Sequence, residues 1–113
     1  MARSMALKGA EIIAHPSNLV LPHCPQAMIT RCLENRIYAI TADRIGNESR
    51  VPDESFHFIG QSQVVDPDGK ILIRASETDE EVQIIEIDLD KARTKFLNNT
   101  NDIFKDRRPD LYS

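Results

Sequence analysis

The sequence predicts an α/β fold, a mixed sheet of about five strands with its helices on one face. Three observations carry that expectation. An apolar run over residues 10–14, an amphipathic helix opening at Pro25 and a β-branched run over residues 37–43 make a strand–helix–strand unit, most simply parallel and right-handed. Asp66-Pro67-Asp68-Gly69 joins two short apolar runs; proline fixes the turn and glycine supplies positive φ, which marks a hairpin. Residues 81–87 alternate, with Gln83, Ile85 and Ile87 against Val82, Ile84 and Glu86, as a half-buried strand does.

Residues 2–8 hold Met5 and Ala6 among good helix formers, and Gly9 stands where a helix ends, so the segment reads as the tail of a helix. Residues 10–14 form the first strand, closed by His15-Pro16-Ser17-Asn18, and residues 19–24 form a loop. From Pro25, a good first helical residue, Met28, Ile29, Cys32, Leu33 and Arg36 recur at helical spacing, with Gln26, Thr30, Arg31, Glu34 and Asn35 opposite. Arg31 and Glu34, three apart, can pair on the helix surface. The second strand covers residues 37–43 and ends at Gly46; residues 47–58 read as a polar loop. Strands over 61–65, 70–75 and 81–87 form a meander, with an acidic turn at residues 76–80. Asp88 can cap a short helix from Leu89 to about Leu97, and residues 98–113 read as an extended tail.

At 113 residues the chain has the length of one small domain, and no repeat or linker divides residues 1–113. A chain of this size can bury roughly two thirds of its unfolded surface. Hydrophobic residues at 41% and charged residues at 28% are ordinary for a folded soluble domain, which excludes disorder of the whole chain. A net charge of −4 argues against a general nucleic-acid binder, which needs a basic face. No apolar run approaches the ~18 residues of a membrane span. The first residues lack the apolar stretch of a signal peptide, so the expected compartment is the cytoplasm. Cys24 and Cys32 make no disulfide framework and stay reduced there. In that setting the glycosylation patterns Asn47-Glu48-Ser49 and Asn98-Asn99-Thr100 are accidental.

Four segments in order carry a family resemblance. The first is Arg3-Ser4-Met5-Ala6-Leu7-Lys8-Gly9-Ala10-Glu11-Ile12-Ile13 with His15-Pro16-Ser17-Asn18. The second is Arg31-Cys32-Leu33-Glu34-Asn35-Arg36 with Tyr38-Ala39-Ile40-Thr41-Ala42-Asp43-Arg44-Ile45-Gly46. The third is Phe58-Ile59-Gly60-Gln61-Ser62 with Asp66-Pro67-Asp68-Gly69, and the last is Arg107-Arg108-Pro109-Asp110-Leu111-Tyr112. The ordered set resembles the nitrilase, or carbon–nitrogen hydrolase, superfamily over nearly the whole chain. Asp43 departs from the pattern, which commonly has Asn there.

The resemblance implies half of a nitrilase-type αββα sandwich, usually dimerised, and hydrolysis of non-peptide C–N bonds in amides, carbamoyl compounds or nitriles. It also implies a Cys nucleophile, a Glu general base and acid, and a Lys that stabilises the oxyanion. By the same resemblance all three precede Met1, so no catalytic residue is assigned to this chain. The expectation is the C-terminal half of such a hydrolase, a fragment or split subunit inactive alone. It would meet a small-molecule amide or nitrile only when completed by a separate N-terminal half. The alternative is a non-enzymatic half-sandwich that self-associates or binds a partner. Few helices for such a sheet leave one apolar face uncovered, so a homo-oligomer or a separate N-terminal half is expected to cover it. No cofactor, nucleic acid or membrane partner is expected.

Ser17 and Asn18 end the first strand on the side where α/β folds place ligands, and the resemblance implies substrate contacts there; turn formation by Asn18 is the competing reading. Cys24 sits beside His23, but adjacent side chains in an extended segment point opposite ways, so the pair reads as a thiol in a loop at the pocket mouth or packed under it. Cys32 reads as a small core residue, His15 as a structural histidine on the rim, and His57 as a loop residue without a partner. Three dispersed histidines and two cysteines have no metal-ligand spacing, so no metal site is expected. Arg107-Arg108 is expected to dock the tail against carboxylates.

Overall fold

A computed structural model describes residues 1–111; Tyr112, the last residue of the closing Arg107-Arg108 segment, and Ser113 lie outside the described residues. The elements are α1 (Ala2–Leu7), β1 (Ile12–Ser17), α2 (His23–Asn35), β2 (Tyr38–Asp43), β3 (Ile45–Val51), β4 (Glu54–Ile59), β5 (Gln63–Val65), β6 (Ile71–Arg74), α3 (Leu89–Arg93), β7 (Phe96–Asn98) and β8 (Asn101–Asp102), followed by a 3-10 turn at Pro109–Leu111. β1, β2, β5 and β6 form one four-stranded sheet in that order, and β3–β4 and β7–β8 are separate two-stranded ribbons. β1 and β2 are parallel, while β5 and β6 add in antiparallel fashion, so the sheet is mixed as the sequence predicts.

The parallel pair needs a crossover, and α2 supplies it. Its buried residues, Pro25, Met28, Cys32 and Asn35, follow a 3-4-3 spacing that lays one stripe on the sheet. Met28 and Cys32 meet Ala39 and Val65 in the core, with Ile13, Ile29 and Ile71 packed around them. Leu33 is the exception to the sequence reading: it is 47% exposed and leaves the stripe to Cys32. Leu33 lies ~100° round the helix from Cys32, at the edge of the stripe and beside Gly69. Asn35 is fully buried in its place, and its Nδ2 donates to Arg31 O at 2.8 Å. Lys95 closes this end by donating to Asn35 O at 3.1 Å and Arg36 O at 2.8 Å. Burial, followed by the nearby Arg36 charge, holds the Lys95 ammonium below its ordinary range.

The predicted turn at Asp66 is a polar hub. Asp66 is 3% exposed. Its Oδ1 accepts from the N–H groups of Asp68 and Lys70, each at 2.9 Å, and its Oδ2 accepts from Lys91 Nζ at 2.5 Å. Lys91 also reaches Asp68 at 2.7 Å. The hub therefore fastens α3 to the sheet, and Tyr38 Oη donating to Asp88 O at 2.9 Å does the same from β2. Asp88 caps α3 as expected, accepting from Asp90 N–H at 2.9 Å.

Four segments depart from the sequence reading. Residues 47–58 are a hairpin, β3–β4, rather than a loop, turning at Pro52 and at Asp53, whose φ is 71°. Its cross-strand pairs mix apolar and polar residues, Ile45 with Ile59 and Glu48 with Phe56 beside Asn47 with His57, and residues 46–50 of β3 have no apolar alternation to read. Residues 81–87 form no strand: Val82 is 89% and Ile84 92% exposed, because alternation assigns faces without supplying a neighbouring edge to pair with. The last helix stops at Arg93. The supposed tail folds back as β7–β8, where Asp102 Oδ1 accepts from Phe104 N–H at 2.9 Å and Lys105 N–H at 3.0 Å. Arg108 pairs locally with Asp110 at 2.7 Å, and Arg107 donates to Phe104 O at 3.0 Å.

The faces of the sheet differ. α2 covers the one carrying Ile13, Ala39 and Val65. On the other, Ile12 and Ile40 are 37% and 40% exposed, and Ala14, Pro16 and Ala42 are exposed beside them. The uncovered apolar face expected from the sequence is therefore present.

The stripe on α2 predicts a mutational contrast. Met28→Ala should cost about 2–4 kcal/mol in urea unfolding, whereas Thr30→Ala, on the exposed side, should change stability by less than about 0.5 kcal/mol. Equal effects would place the buried face wrongly. Asp66 predicts a pH dependence. Burial pushes its carboxyl up, but the Lys91 ammonium and the N–H groups of Lys70 and Asp68 outweigh burial and hold it below its ordinary range. A depressed carboxyl contributes stability above its unfolded value and loses it as pH falls through the folded one. Wild type should lose its advantage over Asp66→Asn below about pH 4, read from urea midpoints across a pH series.

Candidate functional site

The parallel register fixes the site. His15 lies opposite Thr41 and Ser17 opposite Asp43 at the carboxyl ends of β1 and β2, all four on the face that α2 covers. The loop leaving β1 is pinned from three directions. Leu19 N–H donates to Asp43 Oδ1 at 2.7 Å, Ile59 N–H to Leu19 O at 2.9 Å, and Arg44 N–H to Ser17 O at 3.2 Å. Asp43 itself is held by its N–H donating to Ser62 Oγ at 2.9 Å. The chain then enters α2, whose first turn is clamped to the sheet: Gln63 Nε2 donates to Pro25 O at 2.9 Å, and Arg74 Nη2 donates to Gln63 Oε1 at 2.8 Å.

These constraints bring an imidazole, two hydroxyls, a thiol and a carboxylate to one end of the sheet. His15 Nδ1 is 3.2 Å from Thr41 Oγ1 and its Nε2 is 3.0 Å from Ser17 Oγ. Ser17 can also donate to His15 O at 3.3 Å. Cys24 Sγ approaches His15 Nε2 at 3.9 Å. Asp43 Oδ2 is sealed from solvent without a hydrogen-bond partner. The ring is therefore gripped at both nitrogens, and the strand ends present donors and acceptors suited to a small polar molecule.

Ser17 is thus part of a four-residue cluster with His15, Thr41 and Cys24. Asn18, exposed in the adjoining pinned loop, lies one residue beyond it. Cys24 is not in a loop: it occupies the first turn of α2, and its histidine partner is His15, with His23 exposed to solvent. Cys32 lies in the core, where burial and then the Asp66 charge push its thiol up to about 12. His57 has a partner, Asn47 Oδ1 at 2.8 Å across the β3–β4 ribbon, remote from the cluster. Thr41 was missed in the sequence. Its signal lay in the parallel pairing, but the observed register sets Ile12 against Tyr38, one residue away from the alignment of residue 10 with residue 37 that the runs suggest. Among the described residues, no three His, Cys, Asp or Glu side chains group closely enough to hold a metal ion, and no helix is long and apolar enough to cross a membrane. On the open face a cavity of about 660 Å³ is floored by Ile40, Ala42, Val64 and Ile73, with Asp79 and Glu80 at its edge.

Comparison with known proteins gives a consistent result. The carbon-nitrogen hydrolase family model matches residues 1–95. The chain is similar to a nitrilase of Pyrococcus abyssi, 52% identical over 111 residues, covering 98% of this chain and 40% of that protein. It is similar to an N-carbamoylputrescine amidase of Oryza sativa subsp. japonica at 32% identity, with 98% and 40% covered. The crystal structure of a carbon-nitrogen hydrolase from Helicobacter pylori G27 superposes with a TM-score of 0.77 at 30% identity, over 98% of this chain and 42% of that one. The chain thus spans about 40% of the length of the curated relatives it matches. The sheet order, the α2 crossover and the strand-end residues lie within the matched region, and the chain belongs to the carbon–nitrogen hydrolase family.

Proposed function

We propose that this chain supplies the C-terminal sheet layer of a carbon–nitrogen hydrolase that acts on a small amide, carbamoyl compound or nitrile. In this reading the strand-end cluster forms one wall of the substrate pocket. Ser17 offers its hydroxyl and Asn18 its exposed amide for hydrogen bonds to the polar end of the substrate. The nucleophile, general base and oxyanion-stabilising lysine come from a separate N-terminal portion, and without it the chain does not turn over. The names of its relatives, nitrilase and N-carbamoylputrescine amidase, support this substrate class.

The observation that carries the reading is the uncovered apolar face of the sheet around Ile12 and Ile40. A sheet with one covered face needs a second layer. Apolar burial is worth about 25 cal/mol per Å², so a face of several hundred Å² drives association strongly. An N-terminal portion with a sheet of its own would complete an αββα sandwich there. A second reading rests on the same face: a non-enzymatic half-sandwich that covers it with another copy of itself.

Purified alone, the chain should release no ammonia from simple amides, N-carbamoyl compounds or nitriles. Co-expressed with the part of the Pyrococcus abyssi nitrilase that it does not span, it should co-purify and give turnover that depends on both pieces. Turnover by the chain alone that vanishes in Cys24→Ala and survives in Cys32→Ala would overturn the reading and make Cys24 a nucleophile. Exclusive self-association with no co-purification would favour the non-enzymatic reading.

A further inference from the structure

We infer that Cys24 is a thiol-modification site, activated by His15, that exchanges with small-molecule disulfides. The inference does not depend on hydrolysis and concerns this chain's own residues. Three independent features meet at the sulfur. Cys24 is partly exposed, at the edge of the core cluster that it packs against. His15 Nε2 stands 3.9 Å away, within reach of an S–H···N hydrogen bond, and Thr41 Oγ1 at 3.2 Å from Nδ1 holds the ring at that angle. With Nδ1–H donating to Thr41, Nε2 carries the lone pair that accepts the thiol proton. Cys24 also lies in the first turn of the 13-residue helix α2, whose N-terminal N–H groups have no side-chain cap.

The step balances without any further reagent. Cys24 passes its proton to His15 Nε2, and the sulfur electron pair attacks one sulfur of the disulfide. The new S–S bond forms as the old one breaks, and the departing thiolate takes the proton from the His15 imidazolium. Cys24 becomes a mixed disulfide and one half of the reagent leaves as a free thiol, so the oxidation of Cys24 is matched by reduction of the reagent. Ser17 tunes the step by competing for the same nitrogen, since its Oγ lies 3.0 Å from Nε2. Cys32 is an internal reference in the same chain: fully buried, with its thiol pushed up to about 12, it stays protonated and inaccessible.

The test follows adduct mass on each cysteine after exposure of the folded chain to 2-hydroxyethyl disulfide, with the urea-unfolded chain as reference. Cys24 should react faster folded than unfolded, and Cys32 should stay unmodified while the chain is folded. His15→Asn should slow Cys24 by about tenfold or more, and Ser17→Ala, which frees Nε2, should speed it. The inference is overturned if folded Cys24 reacts no faster than in the unfolded chain, or if His15→Asn leaves its rate unchanged in a folded protein. Should His15→Asn fail to fold, Ser17→Ala decides: a faster rate supports activation through Nε2, and an unchanged or slower one refutes it. A structural role for His15 alone would not give opposite shifts in the two variants.

Discussion

Most of this structure depends on the parallel register of β1 on β2. That pairing sets His15 beside Thr41 and Ser17 beside Asp43, and it forces a crossover long enough to hold α2. Once α2 crosses, its buried stripe closes the core over Ala39 and Val65, and its first turn arrives over the ends of the two strands. Gln63 fixes that arrival through Pro25 O, with Arg74 holding the far end of the amide. The loop between β1 and α2 has little freedom left, since Asp43, Arg44 and Ile59 each hold it. The carboxyl end of the parallel pair is therefore a rigid wall of backbone and short polar side chains.

The same topology explains the asymmetry of the sheet. A single crossover helix covers one face, and α3, tied down by Lys91 at the Asp66 hub, reaches only the end of the sheet near Tyr38. Ile12, Ala14, Ile40 and Ala42 are left open. Close approach elsewhere shows that the chain packs tightly where it has partners. Gly60, with φ 60°, has no room for a side chain, since a Cβ would stand 2.8 Å from Glu77 O and from Ile45 Cγ2. Exposure on the open face is thus a property of one surface and not of a loosely folded chain.

The strand–helix–strand unit was legible because it is written in apolar periodicity and punctuated by Gly9, Pro25 and Gly46. The Asp66 turn was legible because proline and glycine specify turn geometry locally. The phase of α2 was misread at two residues: hydrophobicity ranks Leu33 above Asn35, yet Leu33 is exposed and Asn35 is buried with its amide donating to Arg31 O. The β3–β4 ribbon was hard to read because β3 is polar over residues 46–50, so the alternation of Phe56 and Phe58 in β4 had no apolar strand to match it. The sequence placed Ser17 at the end of the first strand, and it lies there with its Oγ 3.0 Å from His15 Nε2. The contact of Cys24 with His15, nine residues apart, exists only after α2 has docked, and so no local pattern announces it. In residues 81–87 the alternation was real, but a strand also needs an edge to pair with, which sequence does not supply.

The proposed function requires the open sheet face around Ile12 and Ile40 to be an association surface rather than part of this chain's own core. Light scattering during size-exclusion chromatography of wild type and Ile40→Lys, with urea unfolding of both, tests it most directly. Ile40 is 40% exposed, so the charge should break association without unfolding the chain. The expected result is a dimer or larger species for wild type and a folded monomer near 12.8 kDa for Ile40→Lys. A wild-type chain that stays monomeric at high concentration and binds no apolar dye, or an Ile40→Lys chain that unfolds as a core variant does, would contradict it.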